Sequence, residues 1–485
     1  RQQGKLNNRA GEVIHRIIDP IINDENCLRL LVDNSDFYAK IINTAGDDAS
    51  ATKQIIQQKI ETAVVKYFQA HLEVKLVCVV GSVGKTSTKN LIATVLSQKY
   101  RVGGALGNHN SELSAPLGIL GIKFPTNIRN PFAWWAVLRA AKKRIKQPAT
   151  VDVIVQELGT DHPGELASYG RYLNPDLTVL TAIAPEHMEF FKTIEAVAED
   201  ELSAINFSKK GIINIDDVDA QFTQFLSNSN ITTYGSSEMA EYSLIPEYFS
   251  VEEGYRARFI TPKTGKAGLA CRARLYGEHS LRPLAGALTV ARELGMTDAE
   301  ITASLTQIKP YPGRMNVLPG QRQTTIIDDS YNSSPIAVKS ALKTLYELPT
   351  TQRIAVLGSM NELGEMSQSA HREIGELCDP RQLDLVITVG EQAEQYLAPS
   401  AKARGCQVMS CKTALEAGGL VNKLMKRGAI ILFKGSQGGI YLEEAIKIIL
   451  ASTDLENQLV RQDPIWLKRK RNFFRQFVNP TLTKE

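Results

Sequence analysis

The sequence predicts an α/β fold: a central P-loop-type ATPase domain with a mostly parallel sheet, a C-terminal Rossmann-like α/β domain and a small helical N-terminal segment. Three observations carry this expectation. From residue 75 onward, short apolar runs alternate with stretches of helical periodicity, the pattern of parallel strands covered by helices. Gly81-Ser-Val-Gly-Lys-Thr-Ser87 joins an apolar run at 75–80 to a helical stretch at 88–96. A second strand–helix alternation begins near 322. A chain of 485 residues is too long for one core, and about three domains is the natural expectation. We place them as a helical segment at 1–74, an ATP-binding domain at 75–318, a Rossmann-like domain at 319–455 and a basic aromatic tail at 456–485.

In order along the chain, residues 51–70 repeat apolar side chains at helical spacing, with Ile55, Ile56, Ile60, Val64, Val65 and Phe68 on one stripe. Strands are expected at 75–80, 151–157, 176–183 and 210–216, and antiparallel strands within 240–276. Helices follow at 279–295 and 297–308. The second alternation offers strands at 324–328, 353–357, 383–389 and 429–433, with Pro319-Gly320 as a hinge before them. Two basic, aromatic stretches, 130–146 and 464–477, suggest peripheral contact with a membrane surface. Packing of 130–146 against its own domain and a solvated tail at 464–477 are the alternatives.

Composition narrows the class. The apolar fraction of 43% and charged fraction of 22% are those of an ordinary globular protein. A net charge of +4, from 56 Lys and Arg against 52 Asp and Glu, does not call for a nucleic-acid partner. Six cysteines lie scattered with no zinc or redox spacing, which fits free thiols in a reducing cytoplasm, and the two basic aromatic stretches leave open a place there at the inner membrane surface. No apolar run is long enough to span a bilayer and no signal peptide is visible. The first residue is Arg rather than Met, which leaves an upstream segment open.

The chemistry starts at the glycine-rich loop. A strand, a loop with Gly81 and Gly84, then Lys85-Thr86 opening a helix, make a cradle for nucleotide phosphates. Backbone N–H groups and the positive helix end face the phosphates, Lys85 reaches the terminal oxygens, and the Thr86 hydroxyl holds Mg²⁺. Ser82 and Ser87 belong to the same cradle. The longer phosphate-loop pattern would put Gly at Val79, so this is the shorter Gly-x-x-Gly-Lys-Thr form. Glu157 and His187 follow two later strands, where ligands of open α/β sheets bind, and they suit a metal held against phosphates. Taken singly, a strand-end Glu is as readily a surface group and a lone His a structural one.

Read as an ordered set, Gly81-x-x-Gly84-Lys-Thr, Glu157-Leu-Gly159, His187-Met-Glu189, Gly277-Glu-His279, Pro312-Gly-Arg-Met315 and Asp328-Asp-Ser-Tyr-Asn332 resemble the Mur ligases over about 75–450. The stretches 107–116, 328–332, 358–364 and 434–436 are most similar to the MurF type of that family. The resemblance implies an ATP- and Mg²⁺-dependent ligase of peptidoglycan synthesis that forms a carbon–nitrogen bond. Its substrates would be a UDP-N-acetylmuramoyl tripeptide and D-alanyl-D-alanine, and the reaction would pass through an acyl phosphate. It implies catalytic roles for Lys85, His187, Glu201 and Arg314, and metal contacts from Thr86, Glu157, His187 and Glu201. Nucleotide contacts would come from Gly81, Ser82, Gly84, Lys85, Thr86, Ser87, His279, Arg314, Asp329 and Asn332. A monomer is expected.

Three departures qualify the resemblance. The family usually carries a carbamoylated Lys where Glu201 stands, and Glu is already a carboxylate. His279 is followed by Ser280 and Pro283 where the family usually has Asn. Residues 1–74 do not resemble the usual uridine-nucleotide-binding domain. Two other readings stay open: a related ligase with another acceptor, of folate-polyglutamylating or amidating type, and a non-catalytic ATP-binding scaffold of a cell-wall complex.

Overall fold

The computed structural model describes residues 49–104, 111–125, 128, 130–250 and 253–478. The N-terminal 48 residues and part of the 107–116 stretch lie outside the described residues. The described chain forms two compact units, one of 49–71 with 112–148 and one of 72–104 with residues from 149 onward.

The smaller unit is built on helix α1 (Ala49–Ala70) and helix α2 (Pro131–Lys146), which pack together. Ile56, Ile60 and Val64 of α1 and Trp134, Val137 and Ala141 of α2 are buried. The helical stripe expected at 51–70 is therefore a packing face. Asn130 caps α2 by accepting from Phe132 N–H, and Pro131 opens its first turn. The Trp134 indole N–H donates to Ile128 O at 2.8 Å, so this half of the basic helix faces its own unit. Phe132, Arg139, Lys142 and Lys143 stay exposed.

The larger unit contains two sheets. The first has nine strands: β1 (Lys75–Val80), β2 (Val102–Gly103), β3 (Val153–Glu157), β4 (Leu177–Leu180), β5 (Gly211–Asn214), β6 (Ile231–Gly235), β7 (Tyr242–Ser250), β8 (Gly254–Ile260) and β9 (Leu269–Ala273). Their order is β2-β3-β1-β4-β5-β6-β7-β8-β9. Pairings are parallel up to β7 and antiparallel from β7 to β9, as expected for 240–276. Chain order reverses around β1, since β3 flanks one side and β4 the other, so the loop after β1 opens at a topological switch point. Helix α3 (Lys85–Leu96) follows that loop and packs on helix α4 (Leu281–Glu293) over a core that includes Val77, Val79, Ile92, Leu284 and Leu288.

The second sheet has strands β10 (Asn316–Pro319), β11 (Thr325–Asp329), β12 (Arg353–Gly358), β13 (Leu385–Val389), β14 (Val408–Cys411) and β15 (Ile430–Lys434), in the order β10-β11-β15-β12-β13-β14. Only β10 runs antiparallel. Separate apolar clusters cover its two faces, one containing Ile326, Val356 and Ile431, the other Ile327, Ala355 and Leu432. This is the doubly wound arrangement the second alternation predicts.

Two expectations change. Pro319-Gly320, expected as a hinge, is tied into the second sheet: Pro319 pairs with Thr325 in β10 and Gly320 bridges Leu450. β10 is an edge strand, where the missing proline N–H costs no ladder bond. The described part of the tail is not a free solvated segment, although Ile465 and Phe477 stay exposed. Its helix α5 (Pro464–Val478) turns Trp466, Phe473 and Phe474 onto Tyr441 and buries Lys470 against Glu443 and Glu444. Among the described residues, no helix is long and apolar enough to cross a membrane.

Candidate active site

The loop between β1 and α3 is shaped before any ligand arrives. Gly81 has φ of 123°, and a Cβ there would sit 2.3 Å from Thr181 Oγ1. Gly84 caps α3 with φ of 88° and no side chain, which leaves the first helical N–H groups to an anion. The end of β4 holds the loop: Thr181 Oγ1 donates to Val83 O at 2.6 Å, Ser82 N–H donates to Ala182 O at 2.9 Å, and Ser82 Oγ accepts from Ala184 N–H at 3.0 Å.

Lys85 folds back into this loop and donates to Gly81 O and, at 3.3 Å, to Glu186 Oε2. Burial alone would lower its pKa, but the charges of Glu186, Glu201 and Glu157 raise it, so the ammonium stays charged. Glu201 is 2% exposed and accepts from Gly81 N–H at 2.6 Å. Burial pushes its carboxyl up to about 8 against the pull of Lys85.

Glu157 closes β3 beside β1, in register with Val79. That register brings its carboxylate to the Thr86 hydroxyl, which donates to Oε2 at 3.0 Å. Lys89, one turn along α3, lies 3.6 Å from the same oxygen. Burial lowers the Lys89 pKa and Glu157 pulls it back. Adjacent hydroxyl and carboxylate oxygens at the mouth of a phosphate loop fit Mg²⁺, a hard cation that takes few protein ligands and fills its sphere with water and phosphate. His187 stands apart from this pair. Its φ is 50°, a left-handed conformation uncommon outside glycine, and its Nε2 lies 3.4 Å from Asp161 and 3.7 Å from Glu186. Among the described residues, no three His, Cys, Asp or Glu side chains gather as a metal cluster. Glu157, expected to share a second Mg²⁺ with His187, instead meets Thr86, while His187 faces Asp161 and Glu186 and Glu201 faces Gly81.

Beside the loop opens a cavity of about 670 Å³ lined by Gly84, Ser87, His279, Arg314, Asp329 and Lys434 among others. It joins the carboxyl end of the first sheet to that of the second. Asp329 ends β11 in register with Lys434 on β15, and the two pair at 2.9 Å with exposures of 7% and 1%. Lys434 also donates to Asn332 O at 2.7 Å, and Met315 N–H donates to Asp329 Oδ1 at 3.2 Å. Burial lowers the Lys434 pKa, partly offset by Asp329. The Asp328 carboxyl accepts from Gly313 N–H and from Ser330, and burial pushes it up to about 7. His279, in the cavity wall, is pushed down to about 4 by burial despite Asp329 and stays neutral at physiological pH. The Arg314 guanidinium lies 4.2 Å from the Tyr331 ring centroid.

Gly84, Ser87, His279, Arg314 and Asp329 therefore share one cavity. Gly81, Ser82, Lys85, Thr86, Glu157 and Glu201 form the polar shell of the loop, and Asn332 enters through its carbonyl. Sequence reading passed over Lys89, Glu186 and Lys434 as site residues. Their signals were present: Lys89 is three residues after Thr86 on one helix face, Glu186 adjoins His187, and Lys434 ends an apolar run.

Two family models match the chain: Mur ligase middle domain over residues 79–291, and Mur ligase, glutamate ligase domain over 313–437. The UDP-N-acetylmuramoyl-tripeptide–D-alanyl-D-alanine ligase of Bacillus subtilis is 28% identical over 398 residues, which is 80% of this chain and 78% of that protein. The ligase of the same name from Escherichia coli is 26% identical over 77% of this chain and 76% of its own length. In fold, the chain is similar to MurF from Acinetobacter baumannii, with TM-score 0.66 at 20% identity over 81% of this chain and 80% of that one. It is also similar to MurF ligase from Thermotoga maritima in complex with ADP, with TM-score 0.65 at 23% identity over 88% of each chain.

Proposed function

The chain belongs to the Mur ligase family, and from that premise we propose that it joins D-alanyl-D-alanine to a UDP-N-acetylmuramoyl tripeptide, using ATP, in peptidoglycan precursor synthesis. The observation that carries this reading is the continuity of the phosphate loop with a cavity ending at the Asp329–Lys434 pair. The named relatives from Bacillus subtilis and Escherichia coli support the substrate pair.

In this reading the nucleotide lies along the cavity with its phosphates against the Gly81–Thr86 backbone. Lys85 exchanges Glu186 for the terminal phosphate oxygens. Thr86 and Glu157 would hold Mg²⁺, which adds positive charge beside the phosphates. Arg314 reaches the phosphates from the second sheet, and Asp329 takes the ribose. The γ-phosphoryl group passes to the substrate carboxylate and ADP leaves. The dipeptide amine then attacks the acyl carbon, a C–N bond forms, and phosphate departs with loss of the amine proton. Two anions meet in the first step, so the concentration of Lys85, Lys89, Arg314 and Lys434 around the site is what the chemistry needs. For a second cation the ligand-free residues do not fit, since His187 and Glu201 are turned to other partners, and no step is assigned to one. A nucleotide-linked substrate places the activity in the cytoplasm.

The test is phosphate release from Mg-ATP with the tripeptide nucleotide, with and without D-alanyl-D-alanine. Release that needs both is expected. Release that ignores either substrate overturns the assignment.

A further inference from the structure

The turn after β11 is held from two directions. On one side the 312–315 turn grips it: Gly313 N–H donates to Asp328, Met315 N–H to Asp329, and Tyr331 N–H donates to Gly313 O at 3.0 Å. On the other side stands Arg461, which precedes the tail helix by three residues. Its Nη1 donates to Tyr331 O at 2.9 Å and its Nη2 to Ser330 O at 2.7 Å. Glu443 aims this guanidinium by accepting from Nε at 2.8 Å and Nη2 at 2.7 Å. Glu443 is fully buried, and Lys470 of α5 supplies it with a second cation at 3.3 Å. A two-pronged carboxylate fixes the guanidinium plane, so its remaining donors have defined directions.

The consequence reaches the cavity. The carbonyls that Arg461 grips belong to Ser330 and to Tyr331, whose ring lies against Arg314. Arg314 lines the cavity, and its Nε is buried without a hydrogen-bond partner among the described residues. The ring is therefore the main thing that sets where this cation points.

We propose that Arg461 is a positioning residue for the nucleotide site, fixing Ser330–Tyr331 so that Tyr331 holds Arg314 toward the phosphates. This rests on the nucleotide reading of the cavity. It makes the tail part of the working site, although no tail side chain among the described residues lines the cavity.

Four full-length variants test it. Arg461→Lys keeps a cation for Glu443 but cannot span the carboxylate and two carbonyls. Tyr331→Leu removes the ring and keeps the backbone. The third is their double variant. Phe473→Leu loosens the tail's packing on Tyr441 and leaves Glu443 with both its cations. Turnover, KM for ATP, ADP affinity and melting midpoint are read on each. Arg461→Lys and Tyr331→Leu should each lower turnover or ADP affinity by about tenfold to a hundredfold, the scale of a small misplacement. The double variant should be no worse than the poorer single one. Phe473→Leu should lower the melting midpoint and leave turnover and ADP affinity intact. Wild-type kinetics in Arg461→Lys, multiplying losses in the double variant, or an equal loss in Phe473→Leu would overturn the inference. If the wild-type chain shows no ligase turnover, the ligase reading fails, and ADP affinity across the four variants still decides this one.

Discussion

Thr86 donates its hydroxyl hydrogen to Glu157, 3.0 Å away, across 71 residues of sequence. The parallel pairing of β1 with β3 brings the two together, because the register that sets Val79 opposite Glu157 also sets the carboxylate beside the first turn of α3. The end of the site where we propose that Mg²⁺ binds is thus a product of sheet register. Glu157→Gln would keep the size and lose the charge. It should raise the Mg²⁺ concentration needed for half-maximal turnover by about tenfold or more, and a Mg²⁺ titration at saturating ATP checks this.

Lys85→Met removes the ammonium that Glu186, Glu201 and Glu157 keep charged. Turnover should fall by about 10²–10³-fold, the usual loss when one charge-stabilising donor is taken from a reacting site. Phosphate release measures it, and an unchanged circular dichroism spectrum separates it from misfolding.

Lys434→Met would strand Asp329 in a buried setting. Breaking one side of such a pair costs about 3–5 kcal/mol, so the urea midpoint should drop clearly. KM for ATP should rise at the same time, because Asp329 faces the cavity. An unchanged midpoint would mean the pair is not held in solution.

Asp328 gives a pH signature. Burial raises its folded pKa to about 7, above the ordinary carboxyl value. Such a group stabilises the fold below its unfolded pKa, and the contribution is lost as pH rises through the folded value. The melting midpoint of the nucleotide-free chain should therefore fall from pH 5 to pH 8. Asp328→Asn should flatten that slope, whatever it does to the absolute midpoint.

The sequence resemblance leads us to propose that Glu201 supplies by its own carboxyl what a carbamoylated Lys supplies in the family. Turnover should be the same in CO₂-depleted buffer as in bicarbonate. Restoration of a depleted preparation by bicarbonate would contradict this role.

Much of this was legible in the sequence because backbone demands leave marks in residue type. The Gly81–Gly84 spacing, the Lys-Thr that follows and the unbroken apolar runs of β1, β12, β13 and β15 each admit few conformations. The strands at 102–103, 316–319 and 408–411 were not legible, being short or at sheet edges where polar residues and Pro319 are tolerated. The tail shows a different limit. An amphipathic pattern tells that Trp466, Phe473 and Phe474 share a face, not whether a bilayer or Tyr441 covers it. Arg461 was hidden for another reason: its partners lie 18 and about 130 residues away, and only the second sheet's topology brings them together.

The most direct measurement is mass spectrometry of the reaction of this chain with Mg-ATP, the tripeptide nucleotide and D-alanyl-D-alanine. The account predicts a pentapeptide nucleotide and ADP in equal amounts, with neither formed by the Lys85→Met chain. ADP without the pentapeptide product, or no product from any of these substrates while ADP still binds, would contradict it.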